Sequence, residues 1–281
     1  MSVTNIFQIY YDDDSYDKLE MGFIPLDNSG GRPDWYEFWA ILNYLKNNKL
    51  EDDTWYGFLS PRFSEKTGFN SRALHSILND PNVDNNYDAV LFATSWDQNC
   101  YFKNPFEQGE YHHKGFLKTS QKFVDEIGLN LKLKDIVTYS DTSVFGNFVV
   151  AKKNYWIKWL ELAEKLFDIC ENNKIQELNQ ETEYGDYGKR QTKVFLQERL
   201  ASLVLLTNNF NVISIDQTLN GQMLVNLHLE SMFYEILTDN FKTFRHLLTC
   251  DVLKEQFYKT KNKDFLKIYE EIRKNVKIYQ K

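Results

Sequence analysis

Short apolar runs alternate along this chain with longer segments whose apolar residues recur at helical spacing. Each run predicts a strand, because it is too short for a stable helix and is rich in strand-forming residues. The predicted strands are Ile6–Tyr11, Trp55–Leu59, Ala89–Phe92 and Val144–Ala151, with a shorter candidate at Ile213–Ile215. This alternation is typical of an α/β domain, and we expect a central mixed sheet.

The segments between these strands have the period of amphipathic helices. Their apolar residues fall on one helix face over residues 35–45, 117–127 and 154–171. Asp34 is placed to cap the first of these helices, and Gly128 is placed to end the second.

One further predicted helix, Lys193–Leu205, is apolar nearly all round. It should therefore be buried, so that its Glu198 and Arg199 must be paired or face a cavity. Adjacent residues on a helix point about 100° apart. We expect one of these two side chains to face a cleft and the other to anchor a neighbouring strand.

The chain is predicted to have two parts. The pattern of strands and helices covers residues 1–207, which should form one α/β domain. It weakens beyond Phe210, and residues 221–281 are predicted to be helical. Residues 208–281 are therefore expected to form a mainly helical extension packed on the domain.

Composition narrows the function classes. The net charge of −7 argues against a nucleic-acid partner, because affinity for a phosphate backbone needs a concentrated basic surface. Aromatic residues make up 16% of the chain. This excess suits either sugar-facing pockets or a dense core.

Three features predict a cytoplasmic protein. Cys100, Cys170 and Cys250 show no CxxC or zinc-type spacing, so neither a disulfide framework nor a cysteine metal site is indicated. The N-terminal residues lack the basic and apolar regions of a signal peptide. No window approaches the roughly 18 apolar residues of a membrane span, so we expect the chain to reach a membrane only through a partner.

The segment after the strand Ala89–Phe92 is dense in amide, acid and imidazole groups. Ligands of α/β domains bind beyond the carboxyl ends of the strands, so a polar loop here is a candidate site. The alternative is a solvated surface loop. The candidate residues are Asp97, Gln98, Asn104, Glu107, Gln108, Glu110, His112 and His113.

Three other residues and one acidic run each have two interpretations. Arg62 follows the second predicted strand and could clamp a diphosphate or be a solvated arginine in a turn. Glu37 could bind substrate or, with Asp34, complete a capping box. Asn147 interrupts an apolar run and is either a structural cross-link or a ligand contact. The acids Asp12–Asp14 could bind a divalent cation or form a solvated turn.

Six segments occur in order between about residues 5 and 207. They are DWYEFWAILNYLKNN, YGFLSPRF, YDAVLF, a loop ending in histidine, GNFVVAKKNYWIKWLELAEKLFDI and QTKVFLQERLASLVL. Their succession resembles a bacterial family of capsule and lipopolysaccharide glycosyltransferases with a GT-A-like fold. Two departures concern the site: Ser60-Pro61-Arg62 stands where relatives carry a more basic tripeptide, and no clean Asp-x-Asp follows YDAVLF.

The resemblance implies a GT-A-like nucleotide-sugar-binding domain that moves a sugar from a nucleotide donor to a capsular or lipopolysaccharide glycan. A carboxylate would remove the proton of the acceptor hydroxyl while positive charge offsets the departing diphosphate. Asp97, Glu107 and Glu110 are the candidate bases. The candidates for neutralising the diphosphate are Arg62, Lys193, Arg199, His112 and His113, of which His113 best matches the histidine that ends the loop in the family.

The remaining substrate-binding candidates are Glu37, Gln98, Asn104, Gln108, Asn147 and Glu198. We expect Arg62, Asp97, Glu107 and His113 to converge on one cleft at the carboxyl ends of the strands. A divalent cation, Mn²⁺ or Mg²⁺, could assist. Asp97 lies five residues beyond Phe92, however, which is further than the metal-binding aspartates of most GT-A enzymes.

Two functions from other classes fit the same sequence. A non-catalytic carbohydrate-binding protein would account for the aromatic excess. A structural subunit of a polysaccharide synthase complex would use the C-terminal helices to dock. For the transferase, the expected partners are a nucleotide-sugar donor and a glycan acceptor.

Overall fold

The central feature of the fold is a mixed sheet. The computed structural model describes residues 2–92, 96–185, 188–215, 235–276 and 279. In chain order, the strands β1 to β8 are Val3–Tyr10, Ile24–Asp27, Thr54–Leu59, Ala89–Phe92, Val149–Lys152, Glu181–Glu183, Lys189–Gln191 and Val212–Ile215. In the same order, the helices α1 to α14 are Asp13–Tyr16, Tyr36–Asn47, Phe63–Thr67, Ser71–Leu78, Pro81–Asn86, Trp96–Tyr101, Pro105–His112, Phe116–Glu126, Lys153–Glu171, Gln176–Asn179, Thr192–Gln197, Leu200–Thr207, Glu235–Thr260 and Lys263–Arg273.

Six strands form one sheet in the order β2-β1-β3-β5-β4-β8. β1 is parallel to β2 and β3, and β4 is parallel to β8, whereas β5 runs antiparallel to both β3 and β4. The predicted α/β class with a central mixed sheet is therefore confirmed. Strand β8 lies beyond residue 207, so the sheet includes residues that the sequence assigned to the helical extension.

Much of the core is built from aromatic side chains. β3 is buried along its whole length, and its Phe58 meets the ring of Trp156 on α9 edge-to-face, with centroids 4.8 Å apart. Trp156 Nε1 donates to the backbone oxygen of Tyr56 at 3.0 Å, which satisfies its single donor. The rings of Phe38 on α2 and Trp159 on α9 also pack together, with centroids 5.5 Å apart. A dense core therefore accounts for a large part of the aromatic excess.

The segment after β4 is not the loop that the sequence predicted. Residues 93–95 lie outside the described residues, and helices α6 and α7 follow them. Asn104 caps α7 by accepting from the N–H groups of Phe106 and Glu107 at 2.9 Å, and Pro105 occupies the first helical position. Asn followed by Pro is a helix-start signal.

The single buried helix predicted over Lys193–Leu205 is also wrong, because the structure has α11 and α12 there. The break falls at Glu198 and Arg199. The N–H of Gly146 donates to the carbonyl of Glu198 at 2.9 Å, which ties the break to the turn before β5. The Arg199 guanidinium turns back and donates to the carbonyl of Phe195 at 2.5 Å.

Two smaller differences concern predicted site residues. β5 begins only after Asn147, which therefore lies in a turn and not within an apolar strand. The N-cap residue of α2 is Trp35, whose side chain makes no capping hydrogen bond. Asp34 does not cap this helix, because its carboxylate binds Lys193. The capping box of Asp34 with Glu37 is consequently not formed.

The C-terminal helices α13 and α14 contact each other, and α13 also contacts α6. Lys254 on α13 is fully buried and donates to the backbone oxygen of Phe102 at 2.9 Å. The Tyr269 hydroxyl on α14 donates to the backbone oxygen of Tyr101 at 2.5 Å. The predicted helices over 221–234 lie outside the described residues. No helix that the structure describes combines the length and the apolar character needed to cross a membrane.

Candidate functional site

Three adjoining cavities open where the parallel strands β1 and β3 end. The first, which we call the aromatic pocket, has a volume of about 240 Å³, and the second and third cavities have volumes of about 490 and 930 Å³. Lys66 lines all three, Glu37 lines the first and third, and Glu198 lines the first and second. We call this continuous space the cleft. It lies where α/β folds bind their ligands.

Glu37 reaches the cleft through an unusual helix start. Tyr36, the first residue of α2, has φ +49°, a left-handed conformation that is strained for a tyrosine. The Tyr11 hydroxyl, just beyond β1, is hydrogen-bonded to the Glu37 carboxylate. Burial, followed by the charge of Glu37, raises the pKa of Tyr11 far above its ordinary value. Tyr11 therefore stays protonated and holds the carboxylate at the strand end.

Glu198 enters the cleft at the break between α11 and α12. Its side chain lies in a concave surface, so that protein surrounds it although 41% of its area is exposed to solvent. Burial raises the pKa of Glu198, Glu37 raises it further, and Arg199 and Lys66 oppose the shift. The arrangement therefore favours a carboxyl group that takes up a proton more readily than an ordinary glutamate.

Arg199 is only 3% exposed, and its Nη1 lies 3.6 Å from Glu198 Oε2. Its guanidinium donates to the carbonyl of Pro105 at 2.8 Å, to that of Phe195, and to Gln108 Oε1. These bonds use three of the five guanidinium N–H donors, and burial keeps the guanidinium away from a diphosphate. Although Arg199 borders the second cavity, its main role is to fix α7 against α11.

His113 is a neutral group beside the second cavity. Its Nδ1 lies 2.9 Å from the carbonyl oxygen of Glu183, and because a carbonyl only accepts, Nδ1 carries the proton. The ring stacks on Phe195 with centroids 3.7 Å apart, and burial lowers the pKa of His113. The ring therefore offers Nε2 as an acceptor and is not the cation that the diphosphate role required.

The three predicted bases are engaged elsewhere. The Tyr279 hydroxyl donates to Asp97, and Arg273 on α14 pairs with Glu107 at 3.0 Å. Glu110 accepts from two backbone N–H groups at the start of α8, at 3.1 and 2.9 Å. The predicted convergence of Arg62, Asp97, Glu107 and His113 on one cleft is therefore wrong for Asp97 and Glu107, which bind the C-terminal residues.

The two remaining basic candidates, Lys193 and Arg62, differ in their position relative to the cleft. Lys193 is 3% exposed, and its Nζ lies 2.7 Å from Asp34 Oδ2 and 4.3 Å from the Trp35 ring centroid. It is thus an internal ion-pair partner away from the cleft lining. Arg62 lines the third cavity and forms an ion pair with Glu65 there.

The predicted amides also separate into two groups. Asn104 donates to the carbonyls of Leu133 and Ile136 at 2.9 and 2.8 Å besides capping α7, so its role is structural. Gln98 and Gln108 bind each other at 2.6 Å and line the second cavity. His112 also lines that cavity, and Asn147 lines the aromatic pocket.

Several cleft residues were missed by the sequence interpretation. Lys66 lies on α3, in the segment that follows the strand-end Arg62. Tyr184 and Arg190 are supplied by the β6–β7 hairpin, and both line the aromatic pocket. The glycines of EYGDYGKR are the signal in the sequence that indicates this hairpin.

The described side chains contain no group of three or more His, Cys, Asp or Glu residues that could hold a metal ion. The cleft nevertheless combines two carboxylates, basic side chains and aromatic walls at the strand ends. Comparison of the chain with protein-family models, curated proteins and solved structures finds no match in any of the three.

Proposed function

We propose that the protein is a GT-A-like glycosyltransferase that moves a sugar from a nucleotide-sugar donor to a hydroxyl group of a capsular or lipopolysaccharide glycan. The observation that carries this proposal is Glu198, a carboxyl group with a raised pKa that faces a cleft beyond the carboxyl ends of β1 and β3. Its neighbours Glu37 and Lys66 line the same space. The three cysteines are buried and form no disulfide bonds with one another, which supports a reducing compartment and hence the cytoplasm.

The residues of the cleft fit the chemistry of glycosyl transfer. The acceptor oxygen would form a bond to the anomeric carbon as the bond from that carbon to the diphosphate breaks. Glu198 would take the acceptor proton, and its raised pKa makes it a stronger base for that step. Lys66, Arg62 and Arg190 line the cleft and would offset the charge of the departing diphosphate.

A screen of nucleotide sugars by thermal shift tests the donor class first. A donor present at about 100 times its dissociation constant should stabilise the native protein by about 2.7 kcal/mol. With the donor identified, Glu198→Gln should lower turnover by about 10²- to 10⁴-fold while the donor dissociation constant changes little, since shape is kept and only the base is removed.

Glu107→Gln is the matched control, because the same substitution removes a carboxylate that binds Arg273 outside the cleft. It should lower stability and leave turnover per folded molecule unchanged. Full turnover by Glu198→Gln would refute the assignment of the base. Failure of every nucleotide sugar to bind would refute the proposed function and favour a carbohydrate-binding protein if free glycans do bind.

A further inference from the structure

The second cavity of the cleft is lined by an imidazole with one unused nitrogen. Nδ1 of His113 donates to the carbonyl of Glu183 at 2.9 Å, whereas Nε2 forms no hydrogen bond with any residue in the described ranges. His113 is 6% exposed. Unlike the enclosed Oε1 of Gln197, its Nε2 keeps some accessible surface. The ring therefore presents a hydrogen-bond acceptor that a ligand in the cavity can reach.

The imidazole of His113 is fixed before any ligand binds. Its ring stacks on Phe195 with centroids 3.7 Å apart, and its backbone N–H donates to the carbonyl of Gly109 at 2.8 Å. Burial lowers the pKa of His113, so the ring is neutral at pH 7.5 and Nε2 keeps its lone pair. Because the ring cannot rotate freely, a hydrogen bond to Nε2 costs little side-chain entropy.

The rest of the second cavity adds donors and aromatic faces. Gln98 Oε1 accepts from Gln108 Nε2 at 2.6 Å, which leaves the amide nitrogen of Gln98 as a donor in the cavity lining. Phe145, Phe148 and Tyr184 contribute rings. Sugar hydroxyl groups both donate and accept, and the C–H face of a pyranose packs on aromatic rings. The volume of about 490 Å³ lies within the roughly 300 to 1,000 Å³ of small-molecule sites.

The charged residues of the cleft indicate which substrate belongs in this cavity. Arg62 and Lys66 both line the third cavity, and Arg62 lines neither the second cavity nor the aromatic pocket. The diphosphate of the donor is therefore expected in the third cavity. Glu198 lines the second cavity and the aromatic pocket but not the third cavity. Because a base has to reach the acceptor hydroxyl, the acceptor is expected on the side of the cleft that Glu198 lines.

We propose that the second cavity binds the terminal sugar of the glycan acceptor, and that His113 Nε2 accepts a hydrogen bond from one of its hydroxyl groups. His113 is then an acceptor-binding residue and not a ligand of the diphosphate. The transferred sugar would reach the acceptor at the junction of the three cavities, where Lys66 lies. The inference rests on the proposed function, because it assigns the second substrate of the same reaction.

Two substitutions of His113 separate its two ring nitrogens. His113→Asn places an amide nitrogen near the position of Nδ1, which keeps a donor for the carbonyl of Glu183 and removes Nε2. His113→Gln keeps an acceptor near the position of Nε2 and removes the bond to Glu183. Initial rates would be measured with the donor that the thermal-shift screen identifies and with short capsular and lipopolysaccharide oligosaccharides as acceptors. His113→Asn should raise the acceptor KM about 5- to 10-fold, as expected for one neutral hydrogen bond.

The other expected results exclude a merely structural role. His113→Gln should keep the acceptor KM close to that of the unmodified protein, and neither variant should change the donor dissociation constant. His113 also borders a separate cavity of about 270 Å³ between α8 and β6, which Lys118 lines. Lys118→Met is therefore the control, and it should leave the acceptor KM unchanged.

Four results would overturn the assignment of His113 while leaving the proposed function intact. The first is an acceptor KM that rises in His113→Gln and not in His113→Asn, because His113 would then act only by holding the β6–β7 hairpin. The second is weaker nucleoside-diphosphate binding by His113→Asn, which would place the nucleobase in the second cavity. The third is a raised acceptor KM in Lys118→Met. The fourth is an unchanged acceptor KM in both variants of His113.

A measurement on the unmodified protein does not depend on the folding of a variant. In protein labelled with ¹⁵N at histidine, saturation with the acceptor oligosaccharide should shift the Nε2 resonance of His113, which is assigned by its absence from His113→Asn. An unshifted resonance at saturation would also overturn the assignment. If no nucleotide sugar binds the unmodified protein, the proposed function itself is refuted.

Discussion

Substitutions in the ion pair of Lys193 and Asp34 distinguish most clearly whether Lys193 has a structural role or binds a ligand. The resemblance made Lys193 one of the candidates for neutralising the diphosphate, whereas in the structure its Nζ lies 2.7 Å from Asp34 Oδ2 and only 3% of its side chain is exposed. Asp34→Asn keeps the shape of the partner and removes its charge. Because it leaves a buried ammonium without its counter-ion, we expect a large loss of stability.

The magnitude follows from the geometry. Two unit charges 2.7 Å apart attract by about 6 kcal/mol at an effective dielectric constant of 20. Asp34 is 34% exposed and also binds Arg32 at 2.8 Å, so solvent and the second cation reduce the share that Lys193 receives. Burial acts to raise the pKa of Asp34, but hydrogen bonds from Arg32 and Lys193 outweigh it and hold that pKa below its ordinary value. We expect Asp34→Asn to lower the free energy of unfolding by about 3 kcal/mol.

Lys193→Met is the comparison variant, since it removes the buried charge together with its desolvation cost. Asp34 would still be paired with Arg32, so the expected loss is about 1 kcal/mol or less. Urea denaturation at pH 7.5 gives both values, and donor binding by the folded variants should be unchanged. The reasoning would be refuted if Lys193→Met were the more destabilising variant, or if it bound donor much more weakly while keeping full stability.

Three further outcomes are expected. Burial raises the pKa of Asp141 to about 6, so the native form keeps a proton that the unfolded chain loses, and stability falls as the pH rises from 4 to 6. Asp141→Asn should therefore raise the free energy of unfolding above pH 6 by about 1 to 2 kcal/mol after allowance for solvent screening. Urea denaturation between pH 4 and 6 should show a flatter stability profile for the variant. Gly109→Ala should cost about 1 to 2 kcal/mol in urea, because a Cβ would lie 2.3 Å from the buried Phe116 ring, whereas Gly30→Ala, which meets nothing within 4 Å, should be neutral. The acidic limb of the turnover profile should lie above the ordinary glutamate range because burial raises the pKa of Glu198, and an unchanged limb in Glu198→Gln would assign it to another group.

Elements with a strong local signal were predictable from the sequence. Helix α9 matches its prediction within one residue, since its helical period is sustained over 19 residues. Strand β4 matches fully because a short apolar run buried on both faces leaves few alternatives. The hairpin of β6 and β7 was missed because its strands are short, exposed and carry no apolar alternation.

The fate of the acidic side chains could not be predicted, because their partners are distant in the chain. Glu107 meets Arg273 across 166 positions, and Asp97 meets Tyr279 across 182. Lys193 meets Asp34 across 159 positions. Local pattern shows that such a group needs a partner, but only the tertiary fold determines whether that partner is a protein residue or a ligand. The sequence analysis therefore assigned the residues after β4 to the cleft, although two of them, Asp97 and Glu107, bind C-terminal residues.

Two departures from local rules coincide with the cleft, and they have a common physical reason. A carboxylate at position 198 of an unbroken apolar helix would be buried at high cost, whereas the break between α11 and α12 turns it towards open space. Tyr36 adopts φ +49° where α2 begins, beside the other cleft carboxylate, Glu37. A sequence selected only for a stable fold would avoid both features, since each costs backbone free energy. Their meeting at one concave surface, where the two carboxylates influence each other, is what sites under functional constraint are expected to show.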